Sequence, residues 1–416
     1  MSWLAAPPVR AARAVWKALP VPYAARRAVA SRVWRALDPH KSGPDPRILF
    51  RPDPRTLRAG DLLLSGYLSA PTGIGRGGRM SAAALSAGGV SPRLHDLGRD
   101  PAGQGLADLS PGGVWFAHCN APEALHFMNV AADTSVFERR YRIGYWAWEL
   151  PRLPDDWLPA VSLFHEVWTP SCFVADAVEA AAAGTGLRVR VVPHPLPDMS
   201  RARPRRERFG VAEGQFVILA MYDVRSTAAR KNPMGAVEAF QRAFSPEDAS
   251  ARLLLKVNAP ADDSACVAPL RTRTAGWPNI TLMIEELSDA EADDLLASCD
   301  VFVSLHRAEG FGLSIAQAMA LGRAVVATGW SGNVDFQAGA VEEVPFALVP
   351  ARDVSGRYEL PDQHWAEPDL DAAAGALRRL ADDRLAAALL GRTARETVEA
   401  RLPRSYPAAD LSPWLA

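Results

Sequence analysis

Cysteine is scarce in this 416-residue chain: Cys119, Cys172, Cys266 and Cys299 lie far apart, and no Cys-x-x-Cys pair occurs. That spacing argues against a disulfide framework or a thiolate zinc site and suits single buried thiols in a reducing cytoplasm. Long hydrophobic runs are lacking as well. No eighteen-residue apolar window offers a membrane-spanning helix, and the first residues hold no uninterrupted apolar segment of the kind a secretory leader needs. A cytoplasmic protein is therefore expected. Nor is there an excess of either charge: 46 Lys and Arg stand against 47 Asp and Glu. A dedicated nucleic-acid binder, whose domain would be clearly basic, is not expected. No internal repeat is detectable.

What the chain does have is enough apolar material, 49% of its residues, to build two cores of ordinary size. Residues 1–42 stand apart, with eight bases (Arg10, Arg13, Lys17, Arg26, Arg27, Arg32, Arg35, Lys41) against the single acid Asp38, interleaved with Trp3, Trp16 and Trp34. Two readings fit: interfacial helices that rest on an anionic membrane, or a helical extension packed on the first domain. Pro7, Pro8, Pro20 and Pro22 divide the segment into short pieces.

From Ile48 onward, short apolar runs alternate with helical stretches, the pattern of a doubly wound parallel sheet. Strands are expected at 61–68, 113–118, 141–148, 166–171 and 189–195. The proline- and arginine-rich stretch 196–210 then reads as a linker. Strands resume at 216–223, 251–258, 280–286, 301–306 and 324–329, with helices at 233–244, 289–298 and 313–321. The expected organisation is a basic helical extension (1–47), a Rossmann-like domain (48–200), a second such domain (201–366) and a helical tail (367–416) that can fold back across the linker. Two open sheets joined in this way bind ligands in the cleft outside the carboxyl ends of their strands.

Motifs cluster at those strand ends. In "SLHRAEGFGLSIAQAMALG", a loop carrying Glu309 is followed by Gly310-Phe311-Gly312-Leu313, which opens a helix. The free N–H groups of such a helix start, approached closely past glycine, suit a diphosphate. Gln317, one turn on, carries donor and acceptor for a vicinal diol such as a ribose. In "YDVRSTAARKNP", Arg225, Arg230 and Lys231 follow a strand end, where cations would neutralise a departing nucleoside diphosphate; Arg230 taken alone also reads as surface charge. "APTGIGRGGRM" holds Gly73-x-Gly75-x-x-Gly78 between a strand and a helix, with Asp96 further on. This spacing fits an NAD fingerprint, and equally a glycine loop touching a sugar or phosphate. His118 and Asn120 end another strand, His118 reading either as a cleft group or as a core histidine. Trp146, Trp148 and Glu149 read as packing. No Asp-x-Asp closes a predicted strand to hold a metal, and no carboxylate pair suggests a glycosidase.

Taken together, "EGFGLSIAQAMALG", "RKNP", "TGWSGNVDF", "YWAWELPRLPDDW" and "VVPHP" make the chain resemble the GT-B glycosyltransferases of retaining family 4, in particular the bacterial surface-polysaccharide type, over about residues 55–380. The resemblance implies transfer of a sugar from a nucleotide-sugar donor to a glycan or lipid-linked acceptor with retention of configuration and without metal or cofactor. It places Glu309 beside the transferred sugar, Arg225 and Lys231 on the phosphates, residue 317 on the ribose, and Gly73, Gly75, His118 and Asn120 on the acceptor side, so that the first glycine loop is not an NAD site. The chain departs from the pattern at Gln317, where the family has a second Glu. Two other readings remain: a sugar-nucleotide epimerase of the same plan, which would turn over its substrate without acceptor, and a non-catalytic nucleotide-sugar-binding descendant.

Overall fold

The computed structural model describes residues 49–415 apart from 110, 260–263, 338, 354, 359 and 407–410, and the side chains of 264–266 and 412. The basic extension, with the membrane reading attached to it, lies outside the described residues. The first sheet contains β1 (Leu62–Gly66), β2 (Arg93–Asp96), β3 (Val114–His118), β4 (Tyr141–Tyr145), β5 (Glu166–Thr169) and β6 (Arg188–Val191), in the order β2-β1-β3-β4-β5-β6. The second contains β7 (Phe216–Asp223), β8 (Ala251–Asn258), β9 (Ile280–Ile284), β10 (Val301–Ser304), β11 (Ala324–Thr328) and β12 (Glu342–Val344), in the order β12-β11-β10-β7-β8-β9. Every pairing in both is parallel.

Central strands such as β7 and β8 are buried on both faces, which is why "FVILAMYD" and "ARLLLKVN" read as continuous apolar runs. Helices α1 (Gly73–Ala87), α2 (Ala121–Val130) and α3 (Cys172–Ala182) belong to the first half. In the second half lie α4 (Pro233–Ala243), α5 (Ser264–Thr274), α6 (Asp289–Ser298) and α7 (Leu313–Ala320). Helix starts are set locally: the Thr72 hydroxyl accepts from Gly75 N–H, and Ser288 with Glu291 forms a reciprocal capping box on α6. An antiparallel hairpin, β13 (Phe346–Pro350) with β14 (His364–Pro368), follows. The tail forms α8 (Leu370–Asp382) and α9 (Arg384–Arg401). Beyond α9 the chain returns to the first half, where Tyr406 N–H donates to Ala84 O of α1 at 3.0 Å and Trp414 stacks on Tyr141 of β4.

Both sheets reverse strand order once, at β1/β3 and at β7/β10. Chains leaving the carboxyl ends of two adjacent strands there diverge to opposite sides, and a crevice opens between the loops. The loops after β7 and β10 therefore meet, as do those after β1 and β3. This places the motifs that follow these four strands around one cleft.

Candidate functional site

The loop after β7 is bent by two residues in the left-handed region, Thr227 at φ 62° and Asn232 at φ 50°, that bracket the single helical turn Ala228–Lys231. Each caps with its side chain: Thr227 accepts from Arg230 N–H and Asn232 from Gly235 N–H. The turn aims Arg230 and Lys231 at the loop after β10. There Glu309 is fixed through its main chain, its N–H donating to Ser331 Oγ at 2.9 Å and its carbonyl accepting from Gly332 N–H at 2.9 Å.

Lys231 Nζ pairs with Glu309 Oε1, and Arg230 Nη1 lies 3.2 Å from Oε2 and donates to Ala308 O at 2.8 Å. The other guanidinium nitrogen, Nη2, is 3.4 Å from Glu149 Oε1, and Glu149 in turn accepts from Tyr358 Oη at 3.0 Å. Two cations thus face two carboxylates inside the crevice. Burial alone would raise the Glu309 carboxyl, but the charges of Lys231 and Arg230 hold it down at about 2. Burial depresses the Lys231 ammonium despite its carboxylate partner. Lys231 remains 24% exposed, so this cation keeps access to the cleft.

Beside Glu309, Gly312 adopts φ 92°, a conformation that favours glycine, and starts α7 with no side-chain cap on its first N–H groups. A narrow cavity there is lined by Lys231, Glu309, Gly312 and Ser314. A cation, a buried carboxylate and an uncapped helix start are therefore adjacent. A wider groove between α4 and α5, lined by Met234, Glu238 and Trp277 among others, includes none of these groups. Gly310 packs under Trp148, whose carbonyl a β-carbon would approach to 3.0 Å, and Gly310 O accepts from Ser171 Oγ at 2.7 Å. Phe311 and Leu313 pack into the adjoining core.

Not all the expected cations converge. Arg225 forks onto Asp223 at 2.8 and 2.9 Å, reaches Glu286 at 3.4 Å, and makes no contact with Glu309. Arg230, grouped in the sequence with the donor-side cations although taken alone it also reads as surface charge, and Glu149, read as packing, occupy the buried centre. Their signal in the sequence is weak, because only the fold brings 149 and 230 together. Gln317 is buried, and its amide Nε2 donates to Asp293 Oδ1 at 3.1 Å.

On the facing side the glycine loop has a defined task. A β-carbon at Gly75 would lie 2.3 Å from Ala70 O, and one at Gly77 would lie 2.7 Å from the His194 ring, so the start of α1 rests directly on the turn and on the histidines below. Gly73 has open space around it. Asp96 accepts from the N–H groups of Ser69 and Gly98, a turn contact. His118 stacks on Tyr145 at 4.5 Å and neighbours His194 at 5.9 Å; neither of its ring nitrogens has a hydrogen-bond partner among the described residues. Burial depresses His118 to about 4, and burial with the His118 charge takes His194 to about 3, so both are neutral at pH 7. Asn120 Oδ1 accepts from Ala147 N–H at 2.8 Å and so holds the loop that carries Trp148 and Glu149.

Residues 223–358 match the family described as Glycosyl transferases group 1, and this span contains Arg225, Arg230, Lys231, Glu309 and Gln317. Among solved structures, the chain is similar to a glycosyltransferase from Rickettsia africae ESF-5 (14% identity, TM-score 0.59, 83% of this chain and 95% of that one). It is also similar to HepE from Anabaena in complex with UDP and glucose (15% identity, TM-score 0.56, 83% and 96%). A third is a UDP-forming α,α-trehalose-phosphate synthase from Burkholderia xenovorans (12% identity, TM-score 0.54, 73% and 72%). The fold is GT-B. No curated protein sequence matches the chain. Among the described residues of this GT-B chain no helix is long and apolar enough to cross a membrane, and no group of three or more His, Cys, Asp or Glu is placed to hold a metal ion.

Proposed function

We propose that the protein is a nucleotide-sugar-dependent glycosyltransferase acting with retention of anomeric configuration in the assembly of a cell-surface glycan. The observation that carries this reading is the meeting of Lys231, Arg230 and Glu309 with the uncapped start of α7 at the β7/β10 crossover, within the segment that matches Glycosyl transferases group 1. Breaking the bond between the anomeric carbon and the phosphate oxygen leaves positive charge on the sugar ring and negative charge on the diphosphate. Fixed cations and backbone N–H groups beside that diphosphate lower the barrier most.

In this reading Lys231 leaves Glu309 for the diphosphate, with Arg230 behind it and Arg225 at the rim. Glu309, freed of one cation, accepts from hydroxyls of the transferred sugar rather than acting as nucleophile. His118, neutral and unpartnered, offers a ring nitrogen to sugar or acceptor. The acceptor hydroxyl forms the new bond on the leaving-group face and passes its proton to the departing phosphate oxygen. Cations of the protein take the place of a metal, and no cofactor is needed. A lipid-linked or glycan acceptor is the expected partner. A thermal-shift screen against UDP-, GDP- and ADP-sugars tests the reading, because a ligand that binds only the folded state raises its stability by mass action. A shift with at least one donor is expected; no shift with any of them would refute it. Turnover of the donor without any acceptor, to its epimer, would replace transferase with epimerase.

A further inference from the structure

The hairpin of β13 and β14 has one covered edge and one open edge. On β14, Ala366 N–H turns away from its partner strand and donates to Arg307 O at 2.9 Å. Arg307 N–H in turn donates to Arg230 O at 2.7 Å and its guanidinium holds Glu367, so this edge is seated behind the turn that carries Arg230. Ala366 stands opposite Leu348. In an antiparallel ladder, two opposite residues either exchange both bonds or both turn outward, and the two classes alternate. Asp369 N–H donates to Pro345 O and Ala351 N–H to Gln363 O, each at 2.8 Å, which puts the odd-numbered residues of β13 in the bonded class. Phe346 and Leu348 therefore direct their N–H and C=O groups outward, and none of these groups has a partner among the described residues.

The side chains of the same two residues are also uncovered, Phe346 at 37% and Leu348 at 56% exposure. Two apart on a strand, they share one face. Phe346 lies 6.3 Å from the Trp330 ring, and Trp330 meets Phe173 at 5.0 Å, so an apolar shelf runs from the open edge across to the first half. Edges left free in natural proteins carry charge, but the run from Pro345 to Ala351 holds none. A row of unpaired N–H and C=O groups at strand spacing is satisfied by another strand, not by a lipid or a sugar. Charge at the two ends selects which strand: Glu343 is exposed just before β13 and Arg352 just after it. Antiparallel pairing of two copies brings the acidic end of each to the basic end of the other.

We propose that β13 is a homodimerisation edge, through which two copies of the chain pair antiparallel about a two-fold axis at Leu348 and join their hairpins into one continuous sheet. In this register Leu348 exchanges both backbone bonds with Leu348 of the second copy. Phe346 N–H of each copy donates to Pro350 O of the other, and the ladder closes there because proline has no N–H to return. Each hairpin is seated behind Arg230, so pairing braces that turn in both copies. The interface is small, which makes the dimer reversible and dependent on concentration. The inference goes beyond the transferase reading and does not rest on it.

Sedimentation velocity of the full chain over a range of concentrations should show a monomer–dimer equilibrium. Leu348→Lys, which sets two ammonium groups against each other at the axis, should raise the dissociation constant about tenfold or more. Glu343→Arg should weaken the dimer as well, and Glu343→Arg combined with Arg352→Glu should restore it. Register is read by cross-linking in a Cys172→Ser background, because Cys172 is an exposed thiol. Leu348→Cys should form a disulfide-linked dimer under mild oxidation, since directly opposite bonded residues lie about 5.5 Å apart at Cα, within disulfide reach. Phe346→Cys, which faces Pro350 of the second copy rather than itself, should not. Thermal unfolding of each variant confirms that it is folded. A monomer at every concentration, a dimer that Leu348→Lys leaves unchanged, or cross-linking through position 346 and not 348 would overturn the inference. A chain that dimerises only after residues 1–48 are removed would assign the edge to its own first segment and overturn it equally.

Discussion

Replacing Glu309 with Gln removes the carboxylate that both site cations share, and its effect on stability can be worked out before any substrate is known. The folded state holds this carboxyl at about 2 against an ordinary 4.5, because Lys231 and Arg230 outweigh its burial. At about 1.4 kcal/mol per pKa unit, the difference is worth about 3 kcal/mol. A carboxyl whose folded value is depressed contributes its full stability above the unfolded value. That contribution is lost as pH falls from about 4.5 toward about 2, where the folded state must also take up the proton. Glu309→Gln should therefore cost about 3 kcal/mol at pH 7, in line with removal of one partner from a buried pair. The gap to wild type should shrink steadily below about pH 4.5. Urea unfolding of both proteins at a series of pH values measures the gap directly, and titrations common to the two cancel in the difference. A gap that stays constant between pH 7 and pH 3, or one below about 1 kcal/mol at pH 7, would refute the assignment of Glu309 as the charged hub of the site.

Arg225→Ala should leave the fold intact, since exposed ion pairs are worth at most about 1 kcal/mol, and should weaken donor binding less than Lys231→Ala; the reverse ranking by titration would show that Arg225 swings onto the phosphates. Transfer should persist in excess EDTA because cations of the protein replace the ion, and an obligatory divalent metal in the activity assay would contradict that account. Deleting residues 1–42, which lie outside the described residues, should abolish salt-sensitive sedimentation with anionic vesicles while activity on a soluble acceptor is unchanged. Each base near such a surface contributes about 1 kcal/mol. Equal sedimentation with and without the segment would assign it to packing on the first domain.

Much of this architecture was legible because buried parallel strands write themselves as apolar runs. The expected strands at 216–223 and 251–258 and the helix at 289–298 coincide with β7, β8 and α6. What escaped were elements without that signature. β2 ("RLHD") and β12 ("EEV") are short, charge-bearing, partly exposed strands at sheet edges, and the β13–β14 hairpin is mostly exposed on its first strand. The site divides in the same way. Lys231, Glu309 and the Gly312 helix start were visible because glycine and charge at a strand end have few structural uses. Arg230 was grouped with the donor-side cations but taken alone also read as a surface base, since its direction depends on the backbone of Thr227 and Asn232. Glu149 gave no local signal at all: it gains its meaning from Arg230 and Tyr358, and each contact crosses between elements remote in sequence.

The claim at the centre of this account is that the crevice between β7 and β10 holds the diphosphate of a nucleotide sugar on Lys231. Calorimetric titration of the wild-type chain and of Lys231→Ala with UDP, GDP and ADP, and with the parent nucleosides, tests it most directly. At least one diphosphate should bind the wild-type chain and lose about tenfold or more in affinity in the variant, as expected for removal of one charge-assisted contact, while the nucleoside binds both proteins alike. A diphosphate that binds wild type and Lys231→Ala equally would contradict the claim.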